Sequence, residues 1–402
     1  MTTLPIAHAD RLSSPEVIAN PYPYYRELRD HSPLNYVFLP AGAVAGIEEP
    51  IRAWALMKYQ DVYSALRDHD TFASGRNPLA GKIAPKLALI QDDPPRHTRF
   101  RRLVNRTFTQ KRIDALTPWI QAVTNELLDE MGSGEIDVIP SFAIPLPVKV
   151  IAKLLGIPGE DYFTLKRWSD AFLAFSSMAP EDRAISNKEM ASYFGRMAVA
   201  RRKHGAEDLI TALVEAEVDG ESLDDAEILG FCMLLLIAGN ETTTNLLGNM
   251  LGILADRPEL WKQLREDRSL VNAVIDETLR FESPIQRLPR NTTKDTELSG
   301  IKLPAGSIIS VYYGAANRDP LEFPNPDEFR LDRGLHNHVA FGAGIHYCLG
   351  APLARAEASI ALNTLLDRFP RLERGSAPAV RQSTSLVVYG YQQLPLNLRA
   401  SN

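Results

Sequence analysis

Phe341–Gly350 reads FGAGIHYCLG, which sets one of only two cysteines, Cys348, among three glycines and a histidine. The next segment, LARAEASIALNTLLDRF, has helical spacing, so Cys348 falls just before or at a helix N-terminus. Unpaired N–H groups and the positive end of the helix dipole favour a thiolate over a thiol there. Gly342, Gly344 and Gly350 permit tight turns and the close approach of a flat ligand. A lone cysteine with no neighbouring cysteine or histidine cluster cannot build a tetrahedral zinc site. An axial thiolate on haem iron needs only one sulfur. The competing reading is a buried cysteine in a structural loop.

Three other stretches carry groups that can act chemically. Ala238–Asn245, AGNETTTN, interrupts an apolar helical pattern with an acid, Glu241, and a hydroxyl, Thr242. Gly239 weakens the helix locally, and a threonine hydroxyl can bond back to the carbonyl four residues earlier and bend the axis. The outcome is a small groove with a proton donor beside it, or a helix emerging into water with Glu241 solvated. Glu277–Arg280, ETLR, puts two charges on one helix face at i, i+3, an arrangement usually exposed. The segment PRHTRFRRLVNRTFTQKR reads as one basic helix on which His97 and Arg101 share a face and can bind carboxylates or phosphates. Arg99, Arg102, Arg106, Lys111 and Arg112 point elsewhere on it, as a solvated charged face; sparse aromatic interleaving gives little support to a nucleic-acid contact.

The elements that must position these residues are mostly helices. Helical periodicity covers PYPYYRELRDH, LTPWIQAVTNELLDEMG, LPVKVIAKLLGIP, YFTLKRWSDAFLAFSS and NKEMASYFGRMAVARRKH. It returns in a long pattern from about Asp224 to Leu254 and in two helices before Pro284. Strand signals are short: IRAWALMKY, then TELSGIKLPAGSIISVYYGAANRD with a turn at Pro304–Gly306, then STSLVVYGYQQLPLNL as a terminal hairpin. The fold class is mainly α with small β-sheets, and no composition shift divides residues 1–402 into domains.

Bulk properties narrow the functions. The 402 residues carry a net charge of −6, which speaks against nucleic acid as the main partner. Two cysteines make no disulfide framework, and Cys232, inside an apolar run, reads as a small buried hydrophobe. The N-terminus lacks the order of a signal peptide. The longest apolar run, Ile228–Gly239, has 12 residues where a bilayer span needs about 20, so no membrane association and a cytoplasmic location are expected.

Taken together and in this order, the four stretches resemble the cytochrome P-450 family over about Pro21–Leu398. FGAGIHYCLG fits the family's haem-loop pattern F-x-x-G-x-[RH]-x-C-x-G, AGNETT fits A-G-x-[DE]-T, and ETLR fits E-x-x-R. FRLDR, ANRDP and HTRFR are similar to further family segments. The resemblance implies one haem domain with no fused reductase, holding haem b (iron protoporphyrin IX) with Cys348 as the axial ligand. His97, Arg101, Arg290 and His346 would meet the propionates. Phe341 would pack beside the sulfur, with Gly342, Gly350, Ala238 and Gly239 also against the cofactor. Glu277, Arg280 and Arg333 would form a buried structural network, tolerable only when every charge is paired. Glu241 and Thr242 would deliver protons for dioxygen activation.

By the same analogy the substrate pocket draws on Leu236, Ile237, Ile285, Leu288 and Val388, and on the loops SGRNPLAGKIAPKLALI and SDAFLAFSSMAPE. Its apolar content implies a hydrophobic small molecule such as a fatty acid, terpenoid, steroid or macrolide-like compound. The activity implied is a monooxygenase using O2, with electrons from NAD(P)H through a separate ferredoxin and ferredoxin reductase, or a flavodoxin-type donor. The basic helix and Arg355 would offer a dock for an acidic ferredoxin. The alternatives are a peroxide-using or rearranging haem-thiolate enzyme, a non-catalytic haem-binding sensor, and a haem-free protein.

Overall fold

A computed structural model describes residues 9–31, 34–39, 50–75, 87–173, 178–334 and 337–399. The fold is organised around one long helix, Asp225–Ala255, here called the central helix. It starts at a reciprocal cap: the Asp224 carboxylate accepts the Glu227 N–H at 2.7 Å, and Glu227 accepts the Asp224 N–H at 3.1 Å. By length and composition it could cross a bilayer, yet 61% of its most apolar 18-residue window is buried inside the protein. It is a core helix wrapped by other helices. Pro145–Leu155, Tyr162–Leu173, Pro180–Lys203, Val271–Phe281 and Ala351–Arg368 all pack against it. A Cβ on Gly239 would lie 2.6 Å from Ile151 Cδ1, so this glycine lets Pro145–Leu155 approach the central helix closely. Cys232 is buried on the same helix, and burial pushes its pKa up to about 12, in keeping with a structural thiol.

The largest sheet has five strands side by side in the order Asn35–Leu39, Ile51–Leu56, Ile308–Tyr312, Arg287–Thr292 and Phe72–Ala73. Ile308–Tyr312 runs parallel to Ile51–Leu56, and antiparallel to Arg287–Thr292 with Ile309 opposite Arg290. That register fixes the backbone from which the Arg290 side chain departs. The mainly helical class with small sheets agrees with the sequence reading.

Two local expectations do not hold. The basic segment is two helices, Arg96–Thr107 and Gln110–Met131, because the Thr109 side chain accepts the Arg112 N–H and caps the second. Lys111 and Arg112 therefore leave the helix that carries His97. The C-terminus is not a hairpin. Pro395–Arg399 pairs with Arg371–Arg374 and Gly134–Asp137, whereas Tyr391–Gln393 pairs with Val380–Arg381. The Asp137 carboxylate accepts the Leu394 N–H at 2.9 Å, and the Leu394 carbonyl accepts the Val138 N–H at 3.1 Å, which switches the chain from one sheet to the other.

Candidate active site

Cys348 stands three residues before the first residue of the helix Ala351–Arg368, in a loop built by backbone hydrogen bonds. Its N–H donates to the Phe341 carbonyl at 2.9 Å, and Gly342 N–H donates to Val339 at 2.8 Å. Gly344 has φ +67°, and a Cβ there would lie 2.5 Å from the Leu66 carbonyl, so only glycine fits. The N–H groups of Gly350 and Ala351 point at the sulfur, and Arg101 and Arg355 add positive charge. These favour the thiolate as the sequence suggested, but burial is the larger effect and raises the thiol pKa overall. The helix terminus alone does not ionise this sulfur; a bound cation would. Phe341 shares the loop, with the Arg355 guanidinium 4.6 Å above its ring.

Beside the cysteine lies a group of cationic and imidazole side chains from three parts of the chain. His97 and Arg101 come from the helix Arg96–Thr107, Arg290 from its strand and His346 from the cysteine loop. The His97 and His346 rings are 4.4 Å apart. His346 Nε2 meets Ser74 Oγ at 3.2 Å, Arg101 donates to the Tyr347 carbonyl at 3.0 Å, and Arg290 donates to the Pro289 carbonyl at 2.8 Å. Both ring nitrogens of His97 are buried without a hydrogen-bond partner. No hydrogen bond joins any of the four to a carboxylate among the described residues. Burial first, then the charges of Arg290, His97 and Arg101, push the His346 pKa down to about 3. Burial and Arg101 lower that of His97. Such a concentration of donors fits a dianionic group such as the paired propionates of a haem.

On the central helix the Thr242 hydroxyl donates to the Ala238 carbonyl at 2.5 Å, the back-bond the sequence suggested. Glu241 is largely buried, its side chain 21% exposed. Burial raises its pKa, partly offset by Lys166 Nζ at 3.8 Å. Leu235, Ala238, Gly239 and Thr242, spaced i, i+3, i+4, i+7, form an accessible stripe on a helix segment that is otherwise buried except for the partly exposed Glu241. Leu236 and Ile237 do not belong to it. They are 0% and 5% exposed in the core, because they point away from Thr242 around the helix. The structure thus packs Leu236 and Ile237 into the core, where they were expected at a pocket, and leaves Leu235 and Ala238 accessible instead. The spacing back from Thr242 was the signal in the sequence. Val388 is also buried, at 5%, and its backbone bridges to Ile285. Ile285 and Leu288 are half-buried against the apolar cluster beside the five-stranded sheet. Residues 76–86 and 174–177, within the two loops expected near the pocket, lie outside the described residues.

Glu277 and Arg280 are not an exposed pair. Their side chains are 1% and 0% exposed. Glu277 Oε1 accepts from Arg280 Nη2 at 2.7 Å, from Arg333 Nε at 3.0 Å and from the Arg330 N–H at 2.9 Å, while Oε2 accepts from Arg280 Nε at 2.8 Å. The remaining guanidinium hydrogens reach the carbonyls of Asn317, Pro326, Glu328, Pro324 and Asn325. This full pairing is what a buried charge network requires. The chain entering the cysteine loop is fixed to the same region, since Val339 N–H donates to Asn317 Oδ1 at 2.8 Å.

Several of the other basic side chains are engaged within the chain. Arg99 pairs with Glu227 at 2.8 Å, Arg102 with Asp219 at 3.0 Å and Arg355 with Asp276 at 2.9 Å, and Arg106 donates to the Glu217 carbonyl at 3.5 Å.

Comparisons with known proteins agree with this arrangement. The family model described as cytochrome P450 matches residues 183–392. Cytochrome P450 109 of Bacillus spizizenii is 39% identical over 389 residues, covering 94% of this chain and 92% of that one. Among solved structures, cytochrome P450 CYP109Q5 from Chondromyces apiculatus superimposes with a TM-score of 0.86 at 37% identity, covering 98% of each chain. CYP109E1 from Bacillus megaterium in complex with testosterone gives 0.83 at 36% identity, covering 94% of this chain and 99% of that one. With a cysteine loop, a donor cluster and a central helix carrying Glu241 and the back-bonded Thr242, and relatives matching almost end to end, the chain belongs to the cytochrome P450 family as a haem-thiolate monooxygenase of the bacterial type.

Proposed function

We propose that the chain binds haem b through Cys348 and inserts one oxygen atom from O2 into a hydrophobic small molecule, by hydroxylation or epoxidation. The observation that carries this reading is the cluster of His97, Arg101, Arg290 and His346, with no carboxylate bonded to it among the described residues and both His97 nitrogens unpaired, beside a sulfur that already receives two backbone N–H groups. When bound, haem with a thiolate ligand supplies dioxygen activation and O–O cleavage.

The protein's own residues do the rest. His97, Arg101, Arg290 and His346 take the propionates, and Phe341, Gly342 and Gly350 pack on the sulfur side. Ala238 contributes a small side chain facing the cofactor. The back-bonded Thr242 holds its oxygen on the accessible stripe, and Glu241, protonated to higher pH than an ordinary carboxylate, is the proton reservoir next to it. Gly239 serves chiefly the packing against Ile151. Glu277, Arg280 and Arg333 hold the loop framework and take no part in chemistry.

Leu235 and Ala238 present an apolar strip, with the partly buried Ile285 and Leu288 as further candidates from the sheet side. A strip of this kind suits a rigid multi-ring hydrocarbon skeleton, and the Bacillus megaterium relative is complexed with testosterone. A steroid-sized substrate is the reading best supported. Electrons come from NAD(P)H through a separate ferredoxin and its reductase. The acid–threonine pair favours this route over peroxide use or a sensing role.

The test is optical titration of the haem-loaded protein with a panel of apolar compounds that includes testosterone, followed by turnover with a ferredoxin system. Displacement of the distal water by a steroid and formation of an oxygenated product are expected. Turnover driven faster by peroxide than by the ferredoxin system would favour the alternative.

A further inference from the structure

Glu241 heads a polar column. Glu241, Asn245 and Asn249 follow at four-residue steps and so share one face of the central helix. Asn245 Nδ2 donates to Glu241 Oε1 at 3.4 Å, and both asparagines are buried. The turn Val388–Tyr391 faces this column. Asn249 Nδ2 donates to the carbonyls of Tyr389 at 3.1 Å and Glu282 at 3.2 Å, and its Oδ1 accepts from Arg381 Nη1 at 2.7 Å. Arg381 in turn donates to both Glu282 carboxylate oxygens at 2.8 Å and lies 3.6 Å over the Tyr391 ring. The turn is tied on its other side as well. Gln286 N–H donates to the Val387 carbonyl at 2.7 Å, and Tyr389 N–H donates to Pro284 at 2.9 Å.

Gly390 is where the turn meets the column most closely. Its φ is not in the left-handed region, so conformational freedom does not explain it. Space does. A Cβ there would overlap Asn245 Oδ1 and lie 2.5 Å from Asn245 Cγ. The Asn245 amide is thus confined between Gly390 on one side and Glu241 on the other.

Resting on the monooxygenase reading above, we propose that Asn245 is a positioning residue for Glu241 and that the terminal turn, through Gly390, sets the Asn245 amide. A ligand that presses on Val387–Tyr389 then changes the hydrogen bond that orients the acid, so pocket occupancy and proton supply are joined mechanically. The charged groups facing Glu241 from another element are Lys166 and Asp170, which pair with each other on the helix Tyr162–Leu173. Asn245 is its hydrogen-bonding neighbour on its own helix.

The test uses the haem-loaded protein and the infrared carbonyl band of protonated Glu241, identified by its loss in Glu241→Gln. The band is titrated with pH in wild type, Asn245→Ala, Gly390→Ala and the double variant. Removing a donor from the carboxylate makes the protonated form persist, so the midpoint should rise by about 0.5–1 unit in each single variant. The double variant should match Asn245→Ala alone, because Gly390→Ala acts only through the amide. An unchanged midpoint in Asn245→Ala, or a Gly390→Ala shift that adds fully to it, overturns the proposal. If Gly390→Ala fails to fold, recovery of folding in Gly390→Ala/Asn245→Gly, which also removes the Asn245 Cβ 3.0 Å away, supports the contact and no recovery rejects it. The reduced carbon monoxide spectrum keeps the two claims apart. Variants with an intact red-shifted band but no midpoint change reject the positioning role alone, whereas a wild type without that band rejects the monooxygenase reading.

Discussion

The His97 and His346 rings lie 4.4 Å apart, contributed by segments almost 250 residues apart in sequence, and no carboxylate bonds to either among the described residues. Two imidazoles and two guanidiniums gathered without an anion leave both His97 nitrogens unpaired, which costs free energy unless a ligand satisfies them. His97→Leu should therefore fold while releasing haem about 10-fold faster, the effect of one lost hydrogen bond to a charged group. Haem transfer to an acceptor globin measures this. An unchanged rate would remove His97 from the cofactor site.

Glu277 should behave differently. Its carboxylate satisfies Arg280, Arg333 and the Arg330 N–H, so Glu277→Gln leaves buried guanidiniums without their counter-charge. A loss of about 3–5 kcal/mol of stability is expected, read by chemical denaturation. Any protein that survives should keep a normal ligand-binding spectrum. A stable but spectrally altered variant would argue for a direct role at the cofactor.

Thr242→Ala deletes the hydroxyl while leaving the helix in place. Product per dioxygen consumed should fall about 10-fold or more, with peroxide released instead, and Thr242→Ser should recover most of the yield. Equal yields in wild type and Thr242→Ala would assign proton control elsewhere.

Glu357 offers a test by pH. It is fully buried on the helix that follows Cys348, with Oε2 unpartnered, and burial raises its pKa to about 8. A raised pKa means the folded state keeps a proton that the unfolded chain gives up. Stability is therefore intact below the ordinary carboxylate value of about 4.5 and declines as pH rises toward about 8. Glu357→Gln should match wild type at pH 4, gain on it progressively through pH 8, and level off just above at a gain of about 5 kcal/mol. Denaturation midpoints across that range check the sign, and a constant difference would contradict it.

Much of this site was legible in the sequence because its parts are local. The cysteine loop, the Glu241–Thr242 pair and ETLR each fit within about ten residues, and periodicity gives the helices that carry them. What escaped depends on distant partners. Whether the Glu277–Arg280 pair is exposed or buried is settled by Arg333 and by carbonyls about 50 residues away. The hairpin expectation at the C-terminus failed because Asp137, more than 250 residues upstream, takes the Leu394 N–H. Leu236 and Ile237 differ for a simpler reason. Their apolar type suits a pocket but their angular position turns them away from Thr242, and a helix segment apolar on nearly all sides gives no contrast by which the sequence could tell the two faces apart.

The central claim is that Cys348 ligates haem iron as a thiolate, and the reduced carbon monoxide spectrum tests it most directly. The wild type should show a Soret band shifted far to the red, and Cys348→His should move it to the position of histidine-ligated haem while the protein stays folded. A red-shifted band that persists unchanged in Cys348→His, or its absence from the wild type, would contradict the account.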